Sequence, residues 1–128
     1  MNIFLGYPSE RGTEAKSLFD FLKSLGLEVW FDKESVLPGE EWRPARKRAQ
    51  DAADLIVHII SPEVLVRPGE VQRELKRTLD LASDQPFGTF YLIPVVVGGV
   101  TAPVEIAKYQ YRAARLGLQA CKEHLAKI

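Results

Sequence analysis

The sequence predicts an α/β fold: a parallel sheet covered by helices on both faces. Strand-like and helix-like segments alternate almost from end to end of the 128 residues. The strand-like segments are near-continuous apolar runs, as strands buried on both faces require. The length suits one domain, residues 1–128, with room for an ordinary core.

Residues 2–6 (NIFLG) form the first strand, closed by the turn material YPSERG. From Thr13 the apolar positions Ala15, Leu18, Phe19, Leu22 and Leu25 follow helical spacing, and Gly26 is placed to stop that helix. EVWF (28–31) is the second strand. The loop DKESVLPGEE beyond it exceeds the ~2–6 residues usual between strand and helix. A helix then runs from about Glu41 to Ala53, with Pro44 tolerable because it lies in the first turn. LIVHII (55–60), the most β-branched run, is a central strand. The stretch RPGEVQRELKRTLD opens a helix from about Gly69 to Ala82, with Val71, Leu75, Leu79 and Ala82 as its buried stripe. TFYLIPVVV (89–97) is the fourth strand, in which Pro94 implies an interrupted ladder or a place near an edge. KYQY (108–111) is a candidate short fifth strand, and Ala114, Leu118, Cys121, Leu125 and Ile128 mark a last helix.

Composition narrows the function. Hydrophobic residues make up 46% and charged ones 27%, a globular balance rather than a disordered one. Seventeen basic residues match seventeen acidic ones, so nothing points to a nucleic-acid surface. No apolar run approaches the ~18 residues of a membrane span, and the opening MNIFLGYPSE lacks the features of a signal peptide. The single Cys121 excludes an internal disulfide framework, and His58 and His124 stand alone rather than in a metal-ligand cluster. A cytoplasmic domain without metal or cofactor is expected.

A parallel sheet binds ligands at the carboxyl ends of its strands. Those ends carry Tyr7, Asp32 and the loop beyond Ser61, which feeds the helix holding Glu70 and Glu74. Two carboxylates four residues apart share one helix face. Either they complement the helix dipole, worth ~0.3–1 kcal/mol, or one of them does chemistry. The familiar α/β motifs do not decide it. GYPSERG after the first strand is no dinucleotide fingerprint, no Walker loop exists, and no G-x-S-x-G elbow is present. A receiver domain would need acidic residues where Tyr7 stands and an aspartate in place of Ser61.

An ordered set of segments does match a known family: IFLGYPSE, GLEVWFDKESVLPGEEW, AADLIVHIISPE, GEVQRELKRTLD, and LIPVVV followed by APVEIAKYQY. Together they resemble a TIR (Toll/interleukin-1 receptor homology) domain of the bacterial kind, over essentially the whole chain. The resemblance implies a flavodoxin-like three-layer sandwich with a five-stranded parallel sheet in the order 2-1-3-4-5. It makes the loop after the second strand the family's BB loop, with Pro38–Gly39 at its tip.

Enzymatic members of that family cleave NAD⁺ to nicotinamide and ADP-ribose, or cyclise the product, with one glutamate in the helix after the third strand. The resemblance places that glutamate at Glu74. The aromatic residue usual four positions earlier falls on Glu70, a departure from the pattern. One carboxylate suffices for this chemistry, because nicotinamide leaves as a neutral molecule and needs no general acid. What remains is an oxocarbenium-like ribose for an ionised glutamate to stabilise or attack. Arg73 and Arg77 lie near enough in sequence to help keep Glu74 charged.

The resemblance also suggests Tyr7, Arg11, Asp32, Gly39 and Trp42 as substrate-binding residues, and Leu37, Pro38 and Gly39 as a self-association surface. Each has a plainer alternative. Tyr7 is then a half-buried loop tyrosine, Arg11 an ordinary loop cation, Asp32 the start of the loop, and Trp42 its anchor on the core. Trp30, His58 and Cys121 read as packing. Two classes of function follow: an NAD⁺-consuming enzyme of anti-phage or cell-suicide immunity activated by self-assembly, or a non-catalytic scaffold for TIR–TIR contacts. A relative of the nucleoside deoxyribosyltransferases, which also use a glutamate on glycosidic bonds, is a third reading, with a poorer match around Pro38. The expected partners are NAD⁺ and other TIR domains, with neither nucleic acid nor membrane, and the domain is of a kind that a longer receptor can carry.

Overall fold

The computed structural model describes residues 2–86 and 91–109. Four strands form one parallel sheet: β1 (Asn2–Gly6), β2 (Glu28–Trp30), β3 (Leu55–Ile60) and β4 (Leu92–Val96). Their order is β2-β1-β3-β4, the 2-1-3-4 part of the flavodoxin-like order. Ile3 pairs with Val29 on one side and Leu55 on the other, and Gly6 lies beside His58.

Alternation along the strands sorts two cores. Ile3, Leu5, Val57, Ile59, Ile93 and Val95 pack with Ala15, Leu18 and Leu22 of α1 (Gly12–Ser24). On the opposite face Phe4, Ile56 and Leu92 meet Ala82, and Ile60 meets Leu75, both from α5 (Glu70–Ser83). The helix α3 (Trp42–Ala52) lies on this second face, where Ala49 joins the Phe4 cluster. All six residues of β3 are buried, as its apolar run requires.

Three short helices fall outside the sequence expectation. α2 (Asp32–Ser35) takes up the start of the long loop after β2. Residues 36–41 then turn tightly: the Glu40 N–H donates to the Leu37 carbonyl at 3.0 Å, and Gly39 adopts φ +83°. Proline then glycine at the two central positions is the pattern of a type II turn. α4 (Pro62–Val66) starts with proline at its first position and with the Ser61 hydroxyl accepting from the Val64 N–H at 3.5 Å. α6 (Val104–Ala107) follows β4.

Other expectations shift. β2 stops at Trp30, leaving Phe31 buried beyond it. The stripe of α5 buries Thr78, while Val71 and Leu79 are only half-buried. No interruption occurs at Pro94, which pairs with His58 inside an unbroken ladder. β4 is the outer strand of the described sheet, and an outer strand tolerates proline where its N–H would point outward. Of the expected fifth strand, Lys108 and Tyr109 instead close the turn that ends α6. Residues 110–111 and the last expected helix lie outside the described residues.

Candidate functional site

Beyond β1 and β2 the chain places Tyr7 and Asp32 at the carboxyl edge of the sheet. The Tyr7 hydroxyl donates to Asp32 Oδ1. Burial, then that carboxylate, push the phenol well above its ordinary pKa, so Tyr7 remains a donor. Asp32 Oδ2 accepts from Arg46 Nη1 at 3.3 Å. Arg46 belongs to a row on α3, Trp42–Arg46–Gln50, whose spacing of four points all three at α5.

From there Arg46 reaches Glu74. Nη2 donates to Oε1 at 2.8 Å, and Nε lies against Oε2. The Glu74 side chain is only 14% exposed. Burial alone would raise its pKa, but His58 and Arg46 together outweigh burial and hold the carboxyl below the ordinary glutamate range. It is therefore ionised at neutral pH. Burial likewise opposes the charge of Arg46, and Glu74 and Asp32 more than offset it.

The backbone beneath Glu74 is fastened too. Gln50 Nε2 donates to the Glu74 carbonyl at 3.2 Å and to Thr78 Oγ1 at 2.7 Å, tying α5 to α3. Between these helices opens a cavity of about 220 Å³. Trp42, Arg43, Arg46 and Lys47 line it from α3, and Glu70 and Glu74 from α5.

The structure thus joins Tyr7, Asp32 and Glu74 through Arg46, with Trp42 at the mouth of the cavity. Trp42 is 45% exposed and carries the Arg43 guanidinium over one ring face at 5.0 Å. Leu37, Pro38 and Gly39 form the turn before α3. Arg11 stands apart: Glu14 at 3.3 Å and Glu63 at 3.2 Å hold it, pinning the loop after β1 to α4. Glu70 is exposed and pairs with Arg73 at 2.7 Å.

One expectation is corrected. Arg73 and Arg77 do not hold the charge of Glu74. Arg73 faces Glu70 three residues back on its own helix, and Arg77 reaches across to Asp51 on α3. Arg46 and His58 do that work instead. Sequence reasoning missed Arg46 and Gln50, although their steps of four from Trp42 were the available signal. It placed His58 in the sheet without its contact to Glu74.

The sequence matches the TIR domain family over residues 3–128. The chain belongs to the TIR domain family. Among solved structures it is similar to a metazoan TIR-STING receptor from C. gigas, with 21% identity and a TM-score of 0.66. That likeness covers 92% of this chain and 39% of the receptor chain, so this TIR domain spans about two-fifths of the receptor's length. A 2-deoxyribosyltransferase from Bacillus psychrosaccharolyticus is similar at 18% identity and a TM-score of 0.64, over 90% of this chain and 88% of that one. At such identities both likenesses speak for the fold alone. No curated protein matches the chain. Among the described residues of the TIR domain no helix is long and apolar enough to cross a membrane, and no group of His, Cys, Asp and Glu is placed to hold a metal ion.

Proposed function

We propose that this TIR domain cleaves the nicotinamide–ribose bond of NAD⁺, with Glu74 as the charged group beside the ribose. One observation carries the reading: a largely buried, ionised carboxylate stands at the carboxyl edge of the sheet, on the wall of a cleft. The C1′–N1 bond breaks with its electron pair passing to the pyridine nitrogen, so nicotinamide leaves neutral and needs no acid. Positive charge then spreads over the ribose ring, where a fixed negative charge counts most in a partly dry site. Water adds to C1′, one proton is released, and ADP-ribose results; closure by a ring nitrogen of the adenine gives a cyclic product instead.

In this reading Tyr7 and Asp32 shape the floor of the site, and Trp42 offers an open ring to a base. Gly39 lets the BB loop turn at the entrance, and Arg11 holds the β1 loop through Glu14 and Glu63. The setting is immunity against phage, in which loss of NAD⁺ halts the infected cell. A second reading, a non-catalytic TIR–TIR scaffold, is favoured by Leu37, which is 67% exposed at the tip of the BB loop. The test is nicotinamide release from NAD⁺ by the wild-type domain and by Glu74→Gln. Release that depends on Glu74 supports the enzyme. Absence of release at high protein concentration supports the scaffold. Transfer of deoxyribose between free bases, with NAD⁺ untouched, would point to transferase chemistry.

A further inference from the structure

His58 is a buried titratable group for which the reaction above has no use. It is 1% exposed and lies between Ile56 and Ile60, on the sheet face beneath α3 and α5. A histidine among Leu, Ile and Val requires partners for both ring nitrogens. Nδ1 lies 3.0 Å from the Ile59 carbonyl, which can only accept, so Nδ1 carries a hydrogen. Nε2 faces Glu74 Oε1 at 3.5 Å and falls short of hydrogen-bond geometry. No water fits between atoms that close. A proton does.

The backbone beside this pair is cut to admit it. Gly6 neighbours His58 in the β1–β3 ladder. A Cβ at Gly6 would stand 2.6 Å from His58 Cδ2, 3.0 Å from Nε2 and 3.0 Å from Glu74 Oε1. Any larger residue would therefore push the ring and the carboxylate apart, and strand geometry gives no other reason for glycine here.

We propose that His58 is a positioning residue for Glu74, fixing one carboxylate oxygen through a hydrogen between Nε2 and Oε1. The effect on rate rests on the NAD⁺ reading; the pairing rests on geometry alone. Arg46 faces Glu74 from α3, Tyr7 from the end of β1 and Glu70 from one turn back on α5, while Asp32 faces Arg46. Arg46 stays charged, Tyr7 is held protonated, and Glu70 is an exposed anion.

The test compares wild type with His58→Leu, His58→Gln and Gly6→Ala. Two readouts are taken: titration of the Glu74 carboxyl by ¹³C NMR, and the pH profile of nicotinamide release. In His58→Leu burial is opposed by Arg46 alone, so Glu74 should titrate at higher pH and the acid limb of the rate should move up with it. Misplacing the carboxylate should lower kcat by about 100-fold with little change in KM. In His58→Gln the new side-chain amide reaches near the place of Nε2. That variant should restore the low Glu74 titration and most of the rate, since its amide donates to Oε1 in place of the ring. Gly6→Ala should raise the Glu74 titration with the histidine still present. It also carries the test if His58→Leu fails to fold. Unchanged Glu74 titration in both His58→Leu and Gly6→Ala overturns the pairing, and a His58→Gln variant as slow as His58→Leu overturns the positioning role. A wild-type domain that releases no nicotinamide sinks the NAD⁺ reading, while the Glu74 titration still decides the pairing.

Discussion

Glu70 and Glu74 stand one turn apart on α5, yet their surroundings differ in kind. Glu70 is 51% exposed in its side chain and shares two arginines with solvent; Glu74 is 14% exposed and meets Arg46 and His58. Removing the charge from Glu74 should therefore abolish nicotinamide release, a loss of at least about 100-fold, the order seen when a preorganised electrostatic group is removed. Glu70→Gln should change the rate less than about threefold, since exposed pairs contribute only ~0–1 kcal/mol. Kinetic assays on both variants check this, and the reverse ranking would show that the glutamates have been assigned the wrong way round. Arg46 invites a different measurement. It neutralises two carboxylates, and its side chain is 17% exposed. Arg46→Met leaves Glu74 and Asp32 without their shared cation, at a cost of about 3 kcal/mol in urea unfolding. Arg73→Met, on the exposed side of α5, should stay within about 0.5 kcal/mol of wild type.

The pairing of α3 with α5 decides where Glu74 points, and it depends on a polar contact inside the helix interface. Gln50 is 3% exposed, Thr78 is fully buried, and the Gln50 amide satisfies both the threonine hydroxyl and the Glu74 carbonyl. Replacing Gln50 with Leu fills the space but strands both acceptors, which should cost about 1–3 kcal/mol and lower kcat more than it raises KM. Thermal unfolding and steady-state kinetics together test that split, and a variant as stable and active as wild type would refute it. The same interface shows what was legible in the sequence. The regular helices and β1, β3 and β4 were readable because apolar periodicity is local information. Pro38–Gly39 was readable as the tip of its loop through the family pattern, and the tight turn found there suits that pair. The short helices at 32–35 and 62–66 were not, since one turn carries too few residues for a period to show. Glu74 was legible through the family pattern, whereas Arg46 and His58 were not. Their roles come from a helix and a strand distant in sequence that meet only once the sheet is ordered.

For the molecule as a whole, the NAD⁺ reading meets a limit in how little of a dinucleotide the described residues of one copy would enclose. The cavity between α3 and α5 holds about 220 Å³, below the ~300–1,000 Å³ of sites that bury a drug-sized ligand, and NAD⁺ is larger still. Glu70 stands where an aromatic wall would be expected, so the mouth is polar on that side. The BB loop meanwhile presents Leu37, 67% exposed, on a turn fixed by Gly39 at φ +83°. A second copy that seats its BB loop over the cleft would bury Leu37, exclude water and hold the dinucleotide for attack. Such a contact joins unlike surfaces, so it propagates into open assemblies unless the rotation closes. Specific activity should therefore rise with protein concentration, in step with particle mass measured by light scattering. Leu37→Asp should suppress both, because it places a charge where an apolar contact is needed. Gly39→Pro should do the same by breaking the turn, since proline cannot adopt positive φ. Neither change touches Glu74, so NMR should show its carboxyl titrating as in wild type. Constant specific activity from nanomolar to high micromolar protein, in a particle that stays monomeric, would mean that one copy completes the site unaided.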